Sequence, residues 1–101
     1  MKKITLDSVI AENLAKDEEF SKAYQREMLI NLISRMLVEL RLKSHLTQKE
    51  LAYRAGTTQP VIARLESGTD QRVPSLELLA RIAVAAHAKL NIAFELDQTD
   101  E

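Results

Sequence analysis

The feature that most constrains this chain is the punctuation between residues 47 and 68. Gly and Pro occur only twice each, at Gly56, Gly68, Pro60 and Pro74, and they cut the second half into pieces too short for anything but small helices joined by tight turns. Thr47 followed three residues later by Glu50 forms a capping box. It opens a helix over Gln48–Ala55 that buries Leu51, Ala52 and Ala55 and stops at Gly56. Thr58 or Thr57 then starts a second helix running through about Ser67 and closed by Gly68. Pro60 is tolerated there because the first helical turn has spare backbone donors. Two short helices with a left-handed-tolerant residue between them predict a helix-turn-helix. In the second helix Gln59 and Arg64 face outward and Ile62 and Leu65 face inward.

The rest of the chain reads as helix until its end. Thr5 caps a segment carrying Leu6, Val9, Ile10 and Leu14. Asp17 caps another carrying Phe20, Tyr24 and Met28. From about Gln25 to Ser44, Leu29, Leu32, Ile33, Met36, Leu37 and Leu40 recur at helical spacing, and Ile30, Val38 and Leu42 widen the stripe. Ser75 caps a helix with Leu78, Leu79, Ile82, Ala83 and Ala86 that ends near His87. Beyond it, Leu90, Ile92, Phe94 and Leu96 alternate with Asn91, Ala93 and Glu95, the period of a half-buried strand. A lone strand needs a neighbour. The candidates are Lys3–Leu6, the same strand of a second subunit, and a sheet edge on another protein.

Composition supports one small domain of helical class with an arm: 101 residues, 46% hydrophobic and 29% charged, with four aromatics and no Trp. The absence of Cys excludes disulfides, thiol chemistry and cysteine-ligated zinc. No run approaches the roughly 18 apolar residues of a membrane span, and the N-terminus has no signal-peptide core, so a cytoplasmic protein without membrane contact is expected. Net charge is −1, yet residues 41–90 hold eight basic and four acidic side chains, whereas residues 91–101 hold no basic and four acidic ones. A basic middle suits phosphate. His45 and His87 lack co-ligands for a metal, and the Asp17, Glu18, Glu19 cluster reads as a solvated helix start rather than a catalytic set. No enzyme motif, cofactor site or metal site is expected.

The segment LTQKELAYRAGTTQPVIARLESG resembles the helix-turn-helix of the lambdoid phage repressors, the broad xenobiotic-response-element-like group, over about residues 36–86. Arg41 and Glu66 fall where that class places a structural ion pair. The flanks TLDSVIAENLAKDEEFSKAYQREM and ARIAVAAHAKLNIAFEL look like the HigA-type antitoxins of bacterial toxin–antitoxin operons. The resemblance implies an all-α, lambda-repressor-like domain with an N-terminal helical arm and one C-terminal β-strand. The expected division is 1–28 for the arm and candidate toxin contact, 29–88 for the DNA-binding domain, 89–96 for the strand and 97–101 for an acidic tail.

It also implies function. A homodimer would occupy double-stranded operator DNA, repress its own operon and neutralise a small basic mRNA-cleaving toxin; the alternative is a free-standing repressor without a toxin. By the same resemblance Gln48 lies at phosphate with Lys49 assisting, and Thr58, Gln59, Val61 and Arg64 enter the major groove, with Thr57 beside them. There Gln reads adenine, Arg reads guanine and Val61 suits a thymine methyl. Pro60 departs from the polar residue common at its position. The loop Thr69–Val73 is longer than usual, and Arg72 within it is a candidate phosphate contact.

Overall fold

The computed structural model describes residues 21–96. Among them are four helices: α1 (Ser21–Lys43), α2 (Gln48–Ala55), α3 (Gln59–Ser67) and α4 (Leu76–Ala85). Expectation and structure agree on α2 to the residue. At α1 they differ, because Tyr24 and Met28, expected on a separate short helix, lie on the same uninterrupted helix as Leu29–Leu42. No Gly or Pro separates the two patterns, so the backbone has no reason to stop. Asp17 and Phe20, the Thr5-capped segment and the 97–101 tail lie outside the described residues.

The core is built where the helices cross. Leu51 of α2, Ile62 of α3 and Ile82 of α4 are the largest fully buried side chains. Ile33 and Leu37 of α1, Leu46, Leu65 and Ala85 close around them, and Leu29, Leu40, Leu78 and Leu79 are partly buried against the cluster. The outer stripe behaves differently: Ile30 and Val38 are half-buried and Leu42 is exposed.

Helix ends are set by local chemistry. Thr47 Oγ1 accepts from Glu50 N at 3.0 Å while Thr47 N donates to Glu50 Oε1 at 2.8 Å, completing the capping box. The Thr47 backbone N–H donating to the carboxylate, with the Thr47 hydroxyl second, holds the Glu50 carboxyl below its ordinary value. Ser75 Oγ accepts from Leu78 N at the start of α4. At their C-termini α1, α2 and α4 end alike. His45, Gly56 and His87 are left-handed (φ 58°, 71° and 57°), and the next residue's N–H returns to Arg41 O, Ala52 O and Ala83 O respectively. Each is a Schellman motif. Two of the three use His where Gly is the usual occupant.

The strand expected over 89–96 is absent from the described residues. Among the described residues no ladder hydrogen bonds join this segment to another, and Ile92, Phe94 and Leu96 stand 60%, 96% and 88% exposed. The physical reason is the one the sequence raises: an alternating segment cannot form a ladder alone.

Candidate nucleic-acid interface

α2 and α3 are joined by Gly56, Thr57 and Thr58, the geometry of a helix-turn-helix. Gly56 sits at φ 71°, and Thr57 N donates to Ala52 O at 2.9 Å. α4 reinforces the turn. Arg81 Nε donates to Ala55 O at 2.9 Å and its Nη2 to Gly56 O at 3.3 Å. A cation on the last carbonyls of α2 satisfies acceptors that the helix leaves open and suits its dipole.

The start of α3 is held by a chain of polar contacts that begins in the core. Arg41 grips Glu66 with two bonds, Nε to Oε2 at 2.6 Å and Nη2 to Oε1 at 3.1 Å, and a third from Nη1 reaches Leu46 O. The bonds to Glu66 raise the Arg41 pKa further above its ordinary value. Glu66 Oε1 then accepts from Gln48 Nε2 at 3.0 Å, and Gln48 Oε1 accepts from Gln59 Nε2 at 2.8 Å.

The polarity of this chain is forced. A carboxylate only accepts, so Gln48 must turn its amide nitrogen inward and its oxygen toward Gln59, which must donate. Gln59 thereby keeps Oε1 and one amide hydrogen, the pair that bidentate recognition of adenine requires. Gln48 keeps one amide hydrogen unengaged by this chain of contacts. The expected ion pair thus does more than brace α1 against α3.

The other candidates divide by exposure. Thr58, the backbone N-cap of α3, makes no side-chain bond to the helix, and Thr58, Gln59, Pro60, Arg64, Lys49 and Arg72 are exposed. Thr57 is half-buried. Val61 is half-buried as well and packs on the core cluster, so only part of its side chain reaches the surface. Pro60 occupies the first turn of α3.

Arg64 and Arg72 converge on one acid that the sequence did not single out. Arg64 Nε lies 3.6 Å from Asp70 Oδ2, and Arg72 Nε lies 3.7 Å from Asp70 Oδ1. Asp70 Oδ1 also accepts from Arg72 N at 3.1 Å, shaping the loop that follows α3. That end of α3 is seated on α1. Ser34 Oγ donates to Glu66 O, and a side chain at Gly68 would meet Asn31 Oδ1 and Ser34 Oγ at 3.3 Å.

One end of the bundle therefore gathers exposed donors and cations from α2, the start of α3 and the following loop, over a scaffold whose own acids Glu66 and Asp70 are already engaged. No described helix is long and apolar enough to cross a membrane. Residues 37–86 match the family model described as helix-turn-helix, the interval over which the sequence resembles the repressor class. No curated protein and no solved structure matches the chain. Residues 37–86 of this chain are a helix-turn-helix domain of the xenobiotic-response-element-like family, a family of DNA-binding regulators and not of enzymes.

Proposed function

We propose that the protein is a sequence-specific operator-binding repressor that acts as a homodimer, and that it is an antitoxin of the HigA type which also neutralises a small basic toxin. The observation that carries the DNA-binding half is the oriented chain Arg41–Glu66–Gln48–Gln59, which presents one recognition amide at the start of α3. Lys49, Thr57, Thr58, Val61, Arg64 and Arg72 complete the surface. Gln48, Lys49 and Arg72 serve phosphate; Thr58, Gln59, Val61 and Arg64 serve the major groove. Two copies related by a two-fold would read half-sites about one helical turn apart.

The antitoxin half rests on the resemblance of the two flanks and on the separation of a basic middle from an acidic end. A repressor without a toxin keeps the same DNA-binding domain, and the extent of the family match, residues 37–86, favours that part of the account alone. Co-purification from the native operon separates the two. A stoichiometric small basic protein that arrests growth when expressed by itself supports the antitoxin; a homodimer that shifts its own promoter and brings down nothing else leaves the plain repressor.

A further inference from the structure

Asp70 sits where two of the proposed DNA contacts meet, and it is far less exposed than either. Its side chain is 16% exposed, against 53% for Arg64 and 82% for Arg72. The carboxylate is held from behind, because Asp70 Oδ1 accepts from Arg72 N at 3.1 Å. The loop that carries it is fastened to the end of α3: Ser67 Oγ donates to Arg64 O at 2.8 Å and accepts from Thr69 N at 3.2 Å. We infer that Asp70 is a positioning residue that sets base specificity. By attracting the Nε side of Arg64, it turns the Nη1–Nη2 end of that guanidinium outward to read guanine and weakens its hold on phosphate. The inference deepens the proposed function, on whose DNA-binding half it rests.

Arg64 Nε lies 3.6 Å from Asp70 Oδ2, an ion pair longer than a hydrogen bond, so the acid attracts the cation without taking up its donors. A guanidinium carries one hydrogen on Nε and two on each Nη. Guanine O6 and N7 can be met from the Nε–Nη2 side or from the Nη1–Nη2 end. With the acid beside Nε, the end is the approach clear of a competing anion. An exposed ion pair ordinarily orders little, because both side chains lose freedom in forming it. Here the loop has already ordered the carboxylate, so only Arg64 has freedom to lose. Phosphate and guanine then fare differently. A phosphate brings a full negative charge toward a fixed carboxylate and is repelled, whereas O6 and N7 are neutral acceptors. An anion that weakens phosphate contacts at Arg64 and spares the base contact raises the ratio of specific to unspecific binding.

The test is selection of duplexes from a random pool by the full chain and by two variants. Asp70→Asn keeps an oxygen for Arg72 N, so the loop survives and only the charge is lost; Asp70→Ala removes both. In Asp70→Asn, guanine preference at the position that Arg64→Ala relaxes should fall about fivefold, while preference at the Gln59 position stays as in the parent. Affinity for an unrelated duplex should rise about threefold. In an Arg64→Ala background, Asp70→Asn should change no base preference. Guanine preference untouched by Asp70→Asn, a loss spread equally to the Gln59 position, or an effect undiminished without Arg64 would each overturn the inference. So would a loss confined to Asp70→Ala, which would trace the effect to the shape of the loop and not to the charge. A parent chain that selects no motif would overturn the DNA-binding reading and this inference with it; a parent motif that Asp70→Asn leaves intact overturns the inference alone.

Discussion

Gln59 illustrates how a buried pair can fix the orientation of an exposed amide. Because Glu66 can only accept, replacing Gln48 removes the constraint on Gln59 as well as the donor proposed for phosphate. Gln48→Ala should therefore change base preference at the Gln59 position, and a double-mutant cycle between the two should give a coupling on the order of 0.5–3 kcal/mol in operator affinity. Strict additivity would mean that they act independently. Arg64→Ala should cost about 1–3 kcal/mol and relax preference at one base position, while Arg72→Ala should weaken all sequences alike and lower the salt slope. Asp70→Asn removes an anion beside both arginines; binding to unrelated duplexes should rise and the operator-to-unrelated ratio fall, as read by competition titration. Glu50 supplies a pH signature. Its folded carboxyl is depressed, so its contribution to stability is present above the ordinary value near 4.5 and is lost as pH falls through the lowered one. In Glu50→Gln the acid limb of the stability curve should be correspondingly flatter.

At the scale of elements, local chemistry was legible in the sequence and long-range chemistry was not. Thr47 with Glu50, Gly56, Gly68 and Ser75 announce boundaries that depend on neighbours within four residues, and the helices begin and end there. The role of Arg81 could not be read, because its acceptors Ala55 and Gly56 lie 25 or more residues away. Asp70 was likewise silent until the loop closed on Arg64. The strand is a different case: its alternation is plain, but a ladder needs a second strand, and none pairs with it among the described residues. Two helix ends also show a departure from the usual occupant. His45 and His87 hold the left-handed position at which a side chain costs roughly 1 kcal/mol relative to Gly. His45→Gly and His87→Gly should each stabilise the fold by about that amount in urea titration. Gly56→Ala should destabilise by about 1–2 kcal/mol from backbone strain, since nothing stands within 4 Å of a new Cβ. Gly68→Ala should cost more, because α1 is in the way. Thr47→Ala should lose about 1 kcal/mol with the cap.

Across the described residues, one small core carries the helix-turn-helix. Leu51, Ile62 and Ile82 come from three helices and meet with no exposed surface to spare, so truncating any one to Ala should cost about 2–5 kcal/mol and loosen α2 and α3 together. The Arg41–Glu66 pair ties α1 to the end of α3, and Arg41→Ala should cost about 3 kcal/mol by leaving a largely buried carboxylate without its cation, with only the Gln48 amide still donating to it. The chain's net charge of −1 hides a basic segment over 41–90, so affinity for operator should fall steeply with salt. The central claim is that α3 reads bases with its first turn. The most direct measurement is selection of duplexes from a random pool by the parent chain and by Gln59→Ala. The account predicts an inverted repeat from the parent and loss of preference at one symmetric pair of positions from the variant. An unchanged motif from Gln59→Ala, or no motif from the parent, would contradict it.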